Sequence, residues 1–406
     1  MVLAAEMQSA KRPLPPGWRW VRLGDVAEYL NGRAFKPEEW GKAGLPIIRI
    51  ENLNSPTALF NSFEGRVDPR NMVNDGDLLI SWSASLDAYN WSGGPAVLNQ
   101  HIFKVEEKRE FITREYLYFA ARLAMREIRL QVHGATMRHI TKPEFEAIQI
   151  PLPPLEEQKR IAMILNEQMS VVARARAAAE AQLEAAKAIP AAYLRAVFSS
   201  PEARLWTQRP LGGLLVEPLK TGISKPTLAG AEKFCLTLSA VRNGLLDLAA
   251  RKPVDVTDSE AEGNWVRGGA FYVVRGNGNP SLLGRGALSP SLITTPVLYP
   301  DLLIQVILDP ALVASEYLRF AWDNEETRED IERRSRTSAG IYKINQANLA
   351  SVTIPVPSLV EQQRIAGMLN EQMASAERAR KAVEEELDAI KKLPAGLLHR
   401  AFSGEF

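Results

Sequence analysis

Asp87 with Glu106-x-Lys108 imitates the carboxylate–lysine set of a metal-dependent phosphodiesterase, in which carboxylates hold the ion and a lysine offsets developing charge. The run Glu106-Glu107-Lys108-Arg109 nevertheless reads as a solvated turn. Asn277-Gly278-Asn279-Pro280 approaches the Asn/Asp-Pro-Pro-aromatic loop with which an amino-methyltransferase holds a flipped base, but lacks the second proline and the aromatic. Gly276, Gly278, Gly284 and Gly286 form no phosphate loop, because no Lys-Ser/Thr and no helix start comes after them. The histidines, His101, His133, His139 and His399, lack metal-ligand spacing. The expectation is a chain with no catalytic residues, no metal and no cofactor of its own.

Residues suited to grip a polyanion are easier to find. Arg122, Arg126 and Arg129 give one predicted helix a basic end, succeeded by Gly134-Ala-Thr-Met-Arg138-His139-Ile-Thr141-Lys142. Its counterpart is Arg333-Arg334-Ser-Arg336-Thr-Ser-Ala-Gly-Ile-Tyr342-Lys343. Small, hydroxylated and basic residues mixed in this way suit phosphate oxygens, although a solvated helix end has the same look. Base edges call for Arg against guanine and Asn or Gln against adenine. Loop residues of that type are Arg49, Asn52, Ser81 and Ser83 in the first half, and Arg242, Asn243, Arg275, Asn277, Asn279 and Arg285 in the second. Trp82 and Trp91 read as core.

Composition limits what these residues can do. The 406 residues carry 49 Lys+Arg against 48 Asp+Glu, a net charge of +1, so any nucleic-acid contact must come from local patches. A hydrophobic content of 46% suffices for two domain cores. The single cysteine, Cys235, excludes a disulfide framework and a cysteine metal cluster, and fits a reducing cytoplasm. No apolar run reaches the ~20 residues of a membrane span.

The elements that must position these residues come in two sets. In the first, Leu45–Ile50, Asp77–Trp82 and Ala96–Val105 read as strands and Thr113–Gln131 as a helix. In the second, Phe234–Val241, Ala270–Val274 and Ser291–Tyr299 read as strands and Val313–Arg334 as a helix. A weak echo, Glu115-Tyr-Leu-Tyr-Phe-Ala against Glu316-Tyr-Leu-Arg-Phe-Ala, makes the two sets one fold with diverged surfaces.

A strong echo comes after each set. Ile150–Ser199 and Ile354–Ser403 align without a gap at a spacing of 204 residues, identical at more than half of their positions. Pro151, Pro153 and Pro154, and Pro355 and Pro357, form extended hinges. From Leu155 to Lys187 strong helix formers predominate, predicting a helix roughly 50 Å long. The heptad seam runs through Ala162, Leu165, Met169, Val172, Arg176, Ala179, Leu183 and Ala186. In the second copy it runs through Ala366, Leu369, Met373, Ala376, Arg380, Val383, Leu387 and Ile390. Matching seams favour packing of the two helices on each other, antiparallel, with a pseudo-twofold axis near Arg176 and Arg380. The same axis would bring Phe402-Ser403 near Pro13–Leu23, making the chain pseudo-circular. The predicted fold is therefore mixed α/β (α+β), with two similar globular domains separated by two long antiparallel coiled-coil helices. Expected boundaries are 1–149, 150–199, 200–353 and 354–406.

The doubled IPLPPLEEQKRIA pattern, Pro15-Pro16-Gly17-Trp18, Leu23-Gly24-Asp25-Val26 and Asp75-Gly76-Asp77-Leu78-Leu79 resemble the specificity subunits of type I restriction–modification enzymes. The second half departs from that pattern at Arg267-Gly268-Gly269-Ala270, where Gly-Asp is usual. The resemblance implies a non-catalytic, cytoplasmic reader of double-stranded DNA with two target recognition domains and two spacer helices. Each domain would read one half of a split site, with half-sites about one turn, or roughly 34–36 Å, apart. It also implies partners: two methyltransferase subunits that use S-adenosylmethionine to modify adenine, and motor–nuclease subunits that use ATP and Mg²⁺. The near-neutral charge leaves one alternative from another class, a coiled-coil scaffold with two binding modules and no DNA.

Overall fold

The computed structural model describes residues 13–55, 57–83, 85–132, 141–338 and 341–406. The chain divides into two compact units, Met1–Glu180 with Glu385–Phe406, and Ala181–Glu384, a division that cuts both long helices.

In the first unit, the hinge strand Gln149–Leu152 pairs antiparallel with Arg19–Arg22. Beside it stands an antiparallel sheet in the order Ala27–Asn31, Ile102–Glu107, Leu78–Ser81, Asp87–Asn90. The helix Arg114–Val132 shares a core with this sheet, its Tyr116, Leu117, Phe119 and Ala120 lying among Leu78, Ile80 and Phe103. The predicted strand Ala96–Val105 is two strands. His101, at φ 72°, turns the chain between Ala96–Leu98, which joins a second four-stranded sheet, and Ile102–Glu107.

The second unit rebuilds the same frame. Thr207–Pro210 pairs with Thr353–Val356, and a six-stranded sheet runs Lys220–Thr221, Leu303–Val306, Phe271–Val274, Gly286–Leu288, Leu245–Leu246, Val241–Arg242. Its first four strands repeat the order and antiparallel pairing of the first unit's sheet. Register makes the equivalence residue by residue: Ile80 faces Ala88 and Phe103, as Val273 faces Gly286 and Ile304. Even the turn before the central strand is shared, with Gly76 and Gly269 both at positive φ, where only glycine escapes a Cβ penalty. Two expectations fail here. Ser291–Tyr299 is no strand, its place taken by Leu303–Val306. The helix Val313–Arg334 is two helices, Ser315–Trp322 and Glu325–Arg333, because Asn324 caps the second through its side chain on Thr327 N–H.

Both long helices exceed their predicted length. They run Leu155–Phe198 and Leu359–Phe402, 44 residues each and so about 66 Å. They continue through Pro190 and Pro394, each of which removes one backbone hydrogen bond. Burial of the residues beyond each proline offsets that loss. Tyr193, Leu194, Val197 and Phe198 enter the core of the second unit beside Ile365, Ala366 and Leu369. Leu397, Leu398, Ala401 and Phe402 enter the core of the first beside Ile161, Ala162 and Leu165. In each unit, then, the start of one long helix lies with the end of the other, as antiparallel partners must.

The seam obeys the heptads, with one correction. Ala162, Leu165, Ala179 and Ala186 are buried and Met169, Val172 and Leu183 half-buried. In the second helix Leu369, Ala376, Leu387 and Ile390 are buried, and Met373 and Val383 half-buried. Arg176 leaves the seam: its side chain is 56% exposed and pairs with Glu180 one turn on, at 2.8 Å. A guanidinium keeps its hydration where a carboxylate four residues away gives it a surface partner. Arg380 stays half-buried between Glu377 and Glu384.

Two duplicated side chains lock each helix start to its module. Gln158 and Gln362 are fully buried. Gln158 donates to the carbonyls of Phe111 and Pro153, each at 2.9 Å, and accepts from Thr113 N–H at 2.8 Å. Gln362 does the same with Leu312, Pro357 and Ala314. Tyr116 donates to the Pro151 carbonyl at 2.7 Å, and Tyr317 to that of Pro355 at 2.8 Å. Burial, and then the neighbouring carboxylates Glu157 and Glu361, push both phenols above their ordinary value, so they remain donors.

Candidate nucleic-acid interface

In the second module the structure gathers nearly all the polar residues expected to grip a ligand around one hairpin. The strands Phe271–Val274 and Gly286–Leu288 are neighbours, and Val274 N–H donates to the Arg285 carbonyl at 2.9 Å. The chain from Arg275 to Gly284 is therefore the tip of this hairpin. One flank of the tip, Gly276–Asn277, adds to a small sheet with Ile341–Lys343, which pairs in turn with Arg336–Ser338. That register sets Asn277 opposite Tyr342, and Lys343 between Gly276 and Arg336. The other flank lines a cleft formed by Val241, Asn243, Gly244, Ser281, Arg285, Asp323 and Arg328.

The tip is held from several sides. Arg328 donates to the carbonyls of Leu283 and Gly284, each at 2.7 Å, and Trp322 Nε1 also donates to Gly284 at 2.7 Å. Arg285 Nε reaches the Ser281 carbonyl at 3.1 Å. Arg242 and Asn243 belong to a hairpin in which Arg242 faces Leu245 across Asn243-Gly244. Both turn residues have positive φ, 48° and 72°, the geometry of a tight two-residue hairpin turn. Asn243 thus has a backbone reason to be there, and its side chain stays exposed at the rim of the cleft.

Charge explains how a near-neutral chain can present a basic surface. Around the module other cations have carboxylate partners: Arg267 pairs with Glu217, Lys225 with Glu260 and Lys233 with Asp258, while Arg333 and Arg334 share Asp330. Among the described residues Arg242, Arg275, Arg285 and Lys343 form no such pair. Arg275 and Lys343 stand at the tip without a carboxylate partner, and Arg285 at its base shares a cleft with Asp323. Arg328, which braces it, gives no sequence signal, since an arginine in a charged helix reads as solvated.

The first module arranges its candidates differently. Asn52 is buried, 8% exposed, with its oxygen on Arg49 N–H and its amide donating to the Leu59 carbonyl at 3.1 Å. Ser81 is fully buried and bonded to the chain between Ser85 and Asp87. Both are interior capping residues and not surface readers, because each closes a turn whose backbone groups would otherwise lack partners. Arg49 pairs with Glu51 and lies over Trp40, its ring-to-guanidinium distance 5.4 Å. Lys142 starts a short helix and pairs with Glu146 at 3.5 Å. Ser83 lies half-buried in the hairpin tip after Leu78–Ser81. Arg138 and His139 lie outside the described residues, as does the side chain of Arg336. Trp91 is core; Trp82 is half-buried, stacked on Phe103 at 5.7 Å.

The tips of the two modules occupy the same place in the frame. Ser81 faces Asp87 across five residues, and Val274 faces Arg285 across ten. Asp87 and Arg285 are register equivalents, and the matching helices place Arg122 where the other has Asp323. Asp87 accepts from Arg122 Nε at 3.2 Å, while Arg285 and Asp323 line one cleft. Acid and base have exchanged places between the modules.

Among the described residues no group of His, Cys, Asp and Glu is placed to hold a metal ion. Burial pushes the Cys235 thiol up to about 11, leaving it unreactive. No helix among them is long and apolar enough to cross a membrane.

Comparison with known proteins accounts for the frame. A family profile described as the type I restriction modification DNA specificity domain matches residues 15–176. The type I restriction enzyme MjaVIII specificity subunit of Methanocaldococcus jannaschii is 32% identical over 156 residues, 38% of this chain and 36% of that protein. The EcoBI specificity subunit of Escherichia coli is 23% identical over 419 residues, 96% of this chain and 86% of that protein. A solved chain from work on complex assembly and conformational transition of the type I R-M system superposes with a TM-score of 0.76 at 20% identity, covering 98% of this chain and all of that one. The doubled module, the hinge-and-helix repeat and this similarity along nearly the whole sequence agree: residues 15–176 match the type I restriction modification DNA specificity domain, and the chain is similar from end to end to specificity subunits of type I restriction enzymes.

Proposed function

We propose that this chain reads a bipartite, asymmetric DNA site, one half per module, and directs adenine methylation or cleavage carried out by partner subunits. The observation that carries the reading is the second module's hairpin tip, where Arg275, Arg285 and Lys343 accompany the half-buried Asn277 and the exposed Asn279 in a chain of net charge +1. Local positive charge of this kind serves a polyanion. That the two modules share a strand frame while their tips differ in length and chemistry supports two unlike half-sites. The partners are two methyltransferase subunits and motor–nuclease subunits. S-adenosylmethionine, ATP and Mg²⁺ belong to those partners, and this chain contributes sequence choice. It acts in the cytoplasm, where that DNA is.

Single-molecule sequencing of methylated adenines in the host, with and without this gene, tests the reading. The expected result is one split motif that disappears when the gene is deleted. Unchanged methylation, with binding of the assembled complex to duplex DNA insensitive to salt, would favour a scaffold without DNA.

A further inference from the structure

We propose, resting on the DNA-reading role above, that the tip Arg275–Gly284 is the base-reading element of the second module. Asn277 and Asn279 would present N–H donors to acceptor edges of the bases. The two asparagines are fixed in the same way. Asn277 Oδ1 accepts from Asn279 N–H at 2.9 Å, and Asn279 Oδ1 accepts from Ser281 N–H at 3.0 Å. Each carbonyl is thus turned into the loop, and each NH₂ group has no partner among the described residues.

Direction matters for what can be read. An asparagine that recognises adenine uses both ends of its amide, accepting from N6 and donating to N7. With the oxygen held by the backbone, the outward group is a pure donor. The major-groove acceptors open to it are N7 and O6 of guanine, O4 of thymine and N7 of adenine, the last set beside the N6 donor, which leaves guanine and thymine the better match. Arg275, Arg285 and Lys343 flank the asparagines and are donors only, so the whole tip offers hydrogen-bond donors and positive charge. A surface of that composition matches phosphates at its margin and acceptor-rich base edges at its centre.

The tip is also rigid enough to select. Strand pairing holds Asn277 against Tyr342, and Arg328 and Trp322 hold the carbonyl at Gly284. Its equivalent in the first module, the shorter Trp82–Leu86, is anchored too, with Ser85 Oγ on Asn54 Oδ1 at 3.2 Å. The frame agrees between modules while each tip is braced by residues of its own, and the tips are where the two differ in length and donor set.

The test uses the full chain assembled with its methyltransferase partners, in a host deleted for the native gene. Asn277→Asp and Asn279→Asp keep the oxygen that closes each turn and replace the donor by an acceptor. Asn277→Ala and Asn279→Ala remove both. Binding is measured to duplexes carrying single base changes across both half-sites, alongside the methylated motif. The Ala variants should lower discrimination at one guanine or thymine position about tenfold. The Asp variants should disfavour that base outright, and the other half-site should be unchanged. Should an Asp variant fail to assemble, Asn279→Ser, which retains an oxygen for the turn, takes its place. Unaltered discrimination in assembled variants overturns the assignment, and so does an equal loss of affinity for every duplex. Deleting the gene tests the specificity role itself, so failure of one reading is separable from failure of the other.

Discussion

The ring of Phe402 lies 5.1 Å from that of Tyr116, in a core that also holds Ile161 and Leu165. Tyr116 is the residue whose hydroxyl fixes the Pro151 hinge carbonyl. The far end of the second long helix thus completes the module at the start of the chain. In the second unit Phe198 stands 6.0 Å from Tyr317, which fixes the Pro355 hinge in the same way.

Removing that ring should be costly. Phe402→Ala is expected to destabilise the first unit by about 3–4 kcal/mol, and Phe402→Leu by less than about 1.5. Denaturant unfolding of the full chain checks the difference. Equal effects would mean that Phe402 fills no defined cavity.

The exchanged pair Asp87–Arg122 offers a cleaner experiment. Asp87→Arg alone sets two cations together and is expected to cost about 2–3 kcal/mol. Adding Arg122→Asp, which reproduces the order found in the second module, should restore at least about 1 kcal/mol. Unfolding of both single variants and the double variant gives the coupling, and strict additivity would count against an interaction.

The C-terminal residues lie against the start of the first module, which permits rearrangement. Gly404 lies so close to the Pro15 ring that an added Cβ would meet it, and Arg160 donates to the Phe406 carbonyl at 2.6 Å. A variant beginning near Pro201, with Phe406 joined to Met1 by a short flexible linker, is expected to fold and direct methylation to the same motif. Soluble protein with altered specificity would refute this.

Salt dependence distinguishes phosphate contacts from base contacts. For the assembled complex, Lys343→Ala should weaken binding to all duplexes alike and reduce the slope of log affinity against log salt by about 1. An unchanged slope would remove Lys343 from the interface.

The sequence revealed the frame better than the tips, and the reason lies in where insertions fall. Gly76 and Gly269 stand 193 residues apart, Tyr116 and Tyr317 stand 201 apart, and Gln158 and Gln362 stand 204 apart. Helix contacts constrain every turn of the repeat, so it aligns at sight. Hairpin tips tolerate added residues, and each addition shifts the offset until Trp82–Leu86 no longer lines up with Arg275–Gly284. Burial of Asn52 and Ser81 was equally hidden, since a capping residue and a base reader call for the same polar side chain. The helices were read too short because proline is a helix breaker in isolation. What carries the chain through Pro190 and Pro394 is tertiary burial of Phe198 and Phe402, which local propensity does not contain.

The division of the chain also sets an order of events on the ribosome. Ala181–Glu384 is continuous and can close as soon as it emerges, whereas the first unit needs Glu385–Phe406 to finish its core. At ~5–20 residues per second, the intervening stretch takes roughly 10–40 s to synthesise. For that interval Tyr116 and Leu165 lack the cover that Phe402 and Leu398 later supply. The module made first is the last to mature, and a nascent chain that stalls before residue 385 exposes an unfinished apolar face to whatever chaperone attends it.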